Sequence, residues 1–246
     1  MRWPLTIFRT LLTGVVGIMA TIIGAGLVIV IALVKDTSPW VDRVIRGWSR
    51  AWLWASGTRL EIEGQEHIDP ERSYVVVANH LSTLDIMACF LAVPLPIRYL
   101  AKKELFRIPV LAQGMRAVGI IEVDREARSA VHGKVNQQAQ QLLEKQRSLI
   151  IYAEGTRPRD GSMKPFKKGA FTMAISGGLP VLPLSIHGTR EAFRPGQIWV
   201  HGGPVKLVVD APIETEGMTS ADTGSLRDRT YEIISGRVRD MGGSVG

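Results

Sequence analysis

The sequence predicts an α/β fold, in which helices cover a mixed, largely parallel sheet and a hydrophobic membrane helix or helix pair precedes it. Two observations carry this prediction. After Gly57, short apolar runs rich in β-branched residues alternate with stretches of helical periodicity, which is typical of sheets that are at least partly parallel. Before Gly57, residues 10–34 contain no charged side chain.

The apolar runs and the periodic stretches define the predicted elements, because short apolar runs fit buried strands and periodic stretches fit helices with one buried face. The predicted strands are residues 60–63, 74–78, 98–101, 119–123, 149–152, 181–186 and 206–209. The predicted helices are residues 83–91, 110–117, 127–145, 168–176 and 225–239. Residues 241–246 are predicted to be a frayed tail.

Residues 1–57 are predicted to anchor the chain to a membrane, with a hydrophobic part at 10–34, and residues 58–246 to form one globular domain. About 20 apolar residues cross a bilayer as a helix, and the charge-free run is long enough. No convincing cleavage site follows it, so we expect the segment to be retained. The pattern fits a spanning helix and a monotopic one equally.

Residues 38–56 are predicted to form an amphipathic helix. Trp and Arg together favour a helix at the membrane interface, while the same pattern fits a helix packed on the globular domain; both alternatives stand. Basic residues are more numerous after the hydrophobic run than before it, which puts the globular domain in the cytoplasm if the run spans the bilayer. The apolar face comprises Trp40, Val41, Val44, Ile45, Trp48, Trp52 and Leu53.

Composition narrows the classes of partner. The net charge of +7 suits anionic partners such as phosphorylated molecules or acidic lipid surfaces. Nucleic acid is excluded as a partner, because the basic residues are scattered and no nucleic-acid module is present. The one cysteine, Cys89, lies in an apolar stretch and is expected to be buried. Because the chain has a single cysteine, disulfides within it are excluded. The five histidines show no metal-ligand spacing.

His80 and Asp85 form the candidate catalytic pair. His80 follows the predicted strand at 74–78, so it lies at a carboxyl strand end, where open α/β sheets bind ligands. A carboxylate fixes the tautomer of a histidine and stabilises its imidazolium, which equips the pair to take a proton from a hydroxyl. Residues five apart diverge by about 140° on a helix. We therefore expect His80 in the loop before the helix and Asp85 in its first turn.

Polar residues also follow three other predicted strands. They are Lys102, the pair Asp124-Arg125, and the run Glu154-Gly155-Thr156-Arg157. Taken one at a time, each also fits a solvated turn or a surface ion pair. Because several strand ends of a parallel sheet can meet at one crevice, together they predict a binding cleft beside His80.

The motifs at 79–85, 102–105, 124–125, 154–157 and 181–183 together resemble the glycerolipid acyltransferase family, over about residues 55–210. The best-known members of that family are 1-acylglycerol-3-phosphate acyltransferases. The resemblance implies the glycerolipid acyltransferase fold, with residues 58–246 as the acyltransferase domain at the inner (cytoplasmic) membrane. It implies acyl transfer from acyl-CoA or acyl-carrier protein to the sn-2 hydroxyl of 1-acylglycerol-3-phosphate, giving phosphatidic acid, with no further cofactor and no metal.

For the reaction that the resemblance implies, the chemistry of the residues suggests a role for each at the site. His80 is expected to be the general base and Asp85 to orient it. Arg157 and Lys102 are expected to bind the acceptor phosphate, with Arg125, Glu154, Gly155 and Thr156 as further substrate-binding residues. Ser82 is the one rival nucleophile, and we expect it to cap the helix instead. Backbone N–H groups at that helix start are expected to hold the oxyanion.

Three positions depart from the family pattern and bear on the acceptor. Tyr152-Ala153 stands where the family often has an aromatic-Pro pair, Pro158 where a Ser is common, and Glu122-Val123 where an aromatic-Ile pair is usual. The acceptors that stay open are glycerol-3-phosphate, a lyso-ornithine lipid and other lysophospholipids. A thioesterase is disfavoured by the phosphate-suited Arg157 and Lys102, and a non-catalytic scaffold by the presence of both His80 and Asp85.

Overall fold

The computed structural model describes residues 3–123 and 147–246, and within them seven strands form one mixed sheet. The order is β1-β7-β6-β2-β5-β3-β4; β2 to β6 run in one direction, and β1 and β7 in the other. The predicted mixed, largely parallel sheet is confirmed. The strands are β1 Thr58–Glu63, β2 Val75–Ala78, β3 Ile97–Lys102, β4 Ile121–Val123, β5 Ser148–Tyr152, β6 Val181–His187 and β7 Gly203–Val209.

Helices cover both faces of this sheet. The predicted helix at 127–145 lies outside the described residues, and the short α6 was not predicted. In the described ranges the α-helices are α1 Trp3–Val34, α2 Pro39–Ala55, α3 Leu84–Ala92, α4 Leu111–Val118, α5 Gly169–Gly177, α6 Thr189–Ala192 and α7 Thr223–Asp240. Short 3₁₀ turns lie at Gln65–His67, Lys103–Arg107 and Ser220–Asp222.

The alternation of side chains along β2 divides the interior into two cores. Val76 and Ala78 join the core under α2 and α3, whereas Val75 and Val77 join the core under α5 and α7. Successive residues of a strand point to opposite faces, and here both faces are buried. This explains why β2 is an unbroken apolar run and not an alternating one.

Helix α2 packs on the globular domain. Val41 and Leu53 are buried in the same core as the sheet, and the ring of Trp48 meets that of Phe90 on α3 edge to face, at 6.4 Å between centroids. Of the two alternatives for this helix, the structure shows the packed one. Trp54, on the opposite side of the helix, is exposed.

Helix α1 lies against the domain over most of its length. Near its start, Trp3 meets Trp199 edge to face and the Thr10 hydroxyl accepts the Val200 N–H at 3.0 Å. Near its middle, Trp48 Nε1 donates to Thr21 Oγ1 at 3.0 Å. It is long and apolar enough to cross a membrane, with a mean hydropathy of 2.7, and most of its apolar surface is exposed. The expected N-terminal membrane helix is therefore present as a candidate span.

The expectation of a frayed C-terminal tail is wrong. Met163 N–H donates to the Ser244 carbonyl at 2.9 Å, and Gly246 N–H donates to the Met163 carbonyl at 3.0 Å. Gly242, at φ 87°, turns the chain after α7 so that the last residues run beside Met163. The tail is therefore ordered by backbone pairing, to which its small residues gave no clue.

Candidate active site

The register of two neighbouring strands brings the main motifs together. β2 and β5 run parallel with Ala78 opposite Tyr152, so His80 and Glu154, each two residues further on, lie side by side. The His80 N–H donates to Glu154 Oε1 at 2.8 Å. The site is thus built at the carboxyl ends of adjacent parallel strands, as the sequence predicts.

His80 and Asp85 are in contact. His80 Nδ1 lies 2.8 Å from Asp85 Oδ2, with the Asp85 side chain fully buried and the His80 side chain 11% exposed. A carboxylate accepts hydrogen bonds, so Nδ1 carries the proton and Nε2 keeps its lone pair. His80 lies in the loop after β2 and Asp85 in the first turn of α3, as expected. The pair is arranged for general-base chemistry at Nε2.

The same oxygen of Asp85 also fixes the loop that carries His80. Asp85 Oδ2 accepts the N–H groups of Leu81 at 2.6 Å and Ser82 at 2.8 Å. These two N–H groups are therefore committed to Asp85, and the expectation that the start of α3 holds the oxyanion is wrong for them. The Asp85 carboxylate bonds these N–H groups because it lies only three or four residues further along the chain.

Ser82 is placed as a structural residue. Its hydroxyl donates to the Phe193 carbonyl at 2.6 Å and accepts the Leu84 N–H at 3.3 Å. The hydroxyl proton therefore points away from His80, which disfavours Ser82 as a nucleophile. Asn79 is structural too: its side chain bonds both the N–H and the carbonyl of Ile186 and so extends the pairing of β2 with β6.

Glu154 braces two loops. Its second oxygen, Oε2, accepts the Lys164 N–H at 2.8 Å, and the residue is 3% exposed. Burial raises the pKa of its carboxyl to about 7, and the two backbone hydrogen bonds oppose that rise only in part. With one backbone donor on each oxygen, Glu154 positions His80 and the 163–168 loop.

The raised pKa of Glu154 makes stability depend on pH. From pH 4.5, its ordinary value, to about 7 the folded chain holds this proton more tightly than the unfolded chain, so the free energy of unfolding falls as pH rises through that window. The shift amounts to about 3 kcal/mol. Glu154→Gln lacks the effect, so we expect the stability of wild type minus variant to fall between these pH values and then level off. Denaturant unfolding in detergent at stepped pH measures it, and a flat difference contradicts the assignment.

The other residues of the Glu154 motif form a turn with an exposed cation at its end. Gly155 has φ 77°, and an added Cβ there would lie 2.8 Å from Lys167 Nζ. Thr156 and Arg157 are exposed. Arg157 Nη1 donates to Thr83 Oγ1 at 2.7 Å, immediately before α3. The guanidinium thus lies beside the loop that carries His80.

Lys102 stands further from this group. It ends β3, which lies two strands from β2, or about 10 Å at the usual strand spacing. Its ammonium is exposed and lies 3.3 Å from Glu104 Oε1. The structure therefore brings together His80, Asp85, Glu154 and Arg157, with Lys102 on the same edge of the sheet. Arg125, the remaining predicted binding residue, lies outside the described residues.

Two aromatic residues and a thiol that the motifs did not single out for the site lie behind His80. The ring of Tyr152 stacks on the imidazole at 3.9 Å between centroids and 8° between planes. Tyr99 and the buried Cys89 pack behind Tyr152. Burial raises the pKa of the Cys89 thiol, so it stays protonated and unreactive. Tyr152 reaches this position because it lies opposite Ala78 in the register of β2 against β5, which the sequence does not specify.

Comparison with known proteins bears on what this site belongs to. The model of a family described as acyltransferase matches residues 59–187, more than half of the chain and every described motif above. The chain belongs to the acyltransferase family. The resemblance seen in the sequence is thereby confirmed, and the match spans His80, Asp85, Lys102 and the run from Glu154 to Arg157.

Individual acyltransferases agree with the family match. The human 1-acyl-sn-glycerol-3-phosphate acyltransferase alpha is 32% identical over 173 residues, which are 70% of this chain and 61% of that protein. The 1-acyl-sn-glycerol-3-phosphate acyltransferase of Limnanthes douglasii is 33% identical over 68% of this chain and 59% of its own. The chain thus spans about three-fifths of the length of these curated relatives.

A solved acyltransferase structure supports the fold over the whole chain. The crystal structure of the 1-acyl-sn-glycerophosphate (LPA) acyltransferase of Thermotoga maritima matches with a TM-score of 0.85 and 25% identity. The match covers 100% of both chains. The predicted glycerolipid acyltransferase fold, including its N-terminal helices, is confirmed by this likeness.

Proposed function

We propose that this chain transfers a fatty acyl group from an acyl thioester to the sn-2 hydroxyl of 1-acylglycerol-3-phosphate, giving phosphatidic acid. The observation that carries the proposal is the buried His80–Asp85 pair, with Nε2 free of the carboxylate, beside the exposed guanidinium of Arg157. The names of the curated relatives and of the solved neighbour support the acceptor. Acyl-CoA and acyl-carrier protein are the two candidate donors.

The chemistry needs one base and no acyl-enzyme. His80 Nε2 takes the proton of the acceptor hydroxyl while its oxygen attacks the thioester carbonyl carbon. The tetrahedral intermediate then expels the thiolate, and the His80 imidazolium returns the proton to that sulfur. The ester C–O bond forms, the C–S bond breaks, and the base is regenerated. Asp85 stabilises the imidazolium between the two proton transfers.

The exposed apolar surface of α1 supports a membrane-bound acceptor. The first turns of α1 contact Val200, shortly before β7, and β7 begins beside the end of β6 at the His80 edge of the sheet. A bilayer along α1 would therefore lie near the catalytic cleft. We also propose residues 1–57 as the membrane-anchoring segment, and the inner membrane with the catalytic domain in the cytoplasm as the location.

An acceptor panel tests this function. Purified chain in detergent receives one acyl-CoA and, in separate reactions, 1-acylglycerol-3-phosphate, glycerol-3-phosphate, a lyso-ornithine lipid or lysophosphatidylcholine, with products read by lipid mass. We expect phosphatidic acid as the main product. Faster acylation of another acceptor contradicts the proposed substrate, and thiol release that is independent of every acceptor indicates a thioesterase. Repeating the reaction with acyl-carrier protein compares the donors.

Arg157→Lys separates acceptor binding from donor binding. Arg can bind a phosphate through two parallel N–H bonds, whereas Lys offers a single point charge. We expect the KM for 1-acylglycerol-3-phosphate to rise by about tenfold and the KM for acyl-CoA to change by less than about twofold. Steady-state kinetics with each substrate varied in turn measures both. A larger rise in the donor KM would place the donor, and not the acceptor phosphate, at Arg157.

A further inference from the structure

One face of the His80 imidazole is covered by an aromatic ring. Tyr152 stacks on it almost parallel, at 3.9 Å between centroids and 8° between planes. The ring is also restrained at its edge, where Nδ1 bonds Asp85 Oδ2 at 2.8 Å. The imidazole is therefore held at one edge by a hydrogen bond and on one face by a stack.

The hydrogen bond to Asp85 and the stack with Tyr152 restrain the imidazole in different ways. The bond to Asp85 fixes which nitrogen carries the proton and acts at a single point of the ring edge. Rotation about the Cβ–Cγ bond would move Nε2 out of line with the acceptor hydroxyl, and the Asp85 bond opposes that rotation only through Nδ1. A parallel ring at van der Waals distance blocks that rotation on its side, because the imidazole cannot tilt into it. The stack therefore adds a second restraint on the ring plane to the one that the Asp85 bond supplies.

The stack also acts on the charged form of His80. When Nε2 takes the proton of the acceptor hydroxyl, the ring becomes a cation lying over the face of Tyr152. The negative face of an aromatic ring attracts a cation, and the attraction is present only once the proton has moved. The contact thus favours the state of His80 that forms during the reaction.

Tyr152 is itself held rigidly by its surroundings. Its hydroxyl lies 3.8 Å from Cys89 Sγ, and its ring stacks with Tyr99 at 5.8 Å between centroids. Tyr99 is anchored in turn, since its hydroxyl donates to the Ile86 carbonyl in α3 at 3.0 Å. Asp85 belongs to the same helix. One short helix therefore orients both the group at the imidazole edge and the ring on its face.

We propose that Tyr152 is a positioning residue that fixes the plane of the His80 imidazole and stabilises its protonated form during acyl transfer. This role rests on the proposed function, because it requires His80 to act as the base. In this role the aromatic ring of Tyr152 makes the contact with the imidazole. The hydroxyl makes only a 3.8 Å contact with Cys89 Sγ and takes no part in the stack on His80, so phenylalanine is expected to replace tyrosine with little loss.

The test compares two variants of Tyr152 with a matched control. Tyr152→Leu removes the stacked ring, Tyr152→Phe keeps it, and Phe171→Leu removes a buried ring from the core on the opposite face of the sheet. The readouts are kcat, the KM for 1-acylglycerol-3-phosphate and the midpoint of thermal unfolding. We expect Tyr152→Leu to lower kcat by about 10- to 100-fold and to change this KM by less than about threefold.

Tyr152→Phe is expected to recover most of that loss, and Phe171→Leu to leave kcat within about twofold even if it lowers the unfolding temperature as much. The proposal is overturned if Tyr152→Leu keeps its kcat, if Phe171→Leu loses as much, or if Tyr152→Phe is no better than Tyr152→Leu. Activity of the wild type on another acceptor overturns only the proposed substrate, and the same comparison then runs with that acceptor. A wild type that transfers acyl groups to no hydroxyl overturns both.

Discussion

Replacing His80 with alanine is expected to lower kcat for acylation of 1-acylglycerol-3-phosphate by about 10³-fold or more. The physical reason is the loss of the only group in the described part of the cleft that is oriented to take the hydroxyl proton: Nε2, on a ring whose other nitrogen bonds Asp85. The fold should survive, because His80 lies in a loop and β2 is held through its backbone. Product formation is measured by lipid mass, and folding by circular dichroism and thermal unfolding.

The matched control for this variant is His67→Ala. His67 follows β1, which runs opposite to β2, so it lies at the other end of the sheet. Its Nδ1 lies 3.0 Å from the Val209 carbonyl. The control therefore also substitutes a methyl group for an imidazole that makes one hydrogen-bond contact. We expect kcat within about twofold of the wild type. If His80→Ala behaves like this control, the base must be sought elsewhere in the chain.

Asp85→Asn is expected to lower kcat by a similar factor, about 10³-fold, without removing His80. The carboxylate accepts three hydrogen bonds at one oxygen, from His80 Nδ1, Leu81 N and Ser82 N. An amide at this position can donate to Nδ1, which moves the imidazole proton to Nε2 and occupies the atom that must accept the proton from the substrate. The loss should therefore appear in kcat much more than in either KM.

Asp69→Asn provides the same chemical change at an exposed site. Asp69 accepts the Glu71 N–H in a surface turn, and its replacement should leave kcat within about twofold. The double variant His80→Ala/Asp85→Asn adds a second check. Because Asp85 acts through His80, the double variant should be no slower than His80→Ala alone. A further large loss in the double variant would give Asp85 an independent role in the reaction.

The parts of this molecule that the sequence predicted are those governed by local periodicity. Every predicted strand is present, since runs such as residues 149–152 and 181–186 can be buried on both faces only within a covered sheet. The placement of His80 and Asp85 across the loop and the first turn of α3 followed from helical geometry. The convergence of His80, Glu154 and Arg157 followed from parallel strands that end at one edge.

The features that the sequence missed depend on contacts between distant residues or on competition for hydrogen bonds. The Tyr152 stack requires the register of β2 against β5, which no local pattern specifies. The N–H groups of Leu81 and Ser82 looked available to an oxyanion until Asp85 was seen to occupy them. The resemblance makes Glu154 a substrate-binding residue and gives no sign that its two oxygens also hold two loops together by accepting backbone N–H groups.

The immobilisation of the His80 ring has a consequence for the entropy of catalysis. Its edge, its face and its backbone N–H are held by Asp85, Tyr152 and Glu154 respectively. The rotational freedom of the base is therefore surrendered once, when the chain folds, and not again with each substrate that arrives. What is left to be ordered in each turnover is the pair of substrates, the acceptor hydroxyl and the acyl thioester, against a base that is already in place.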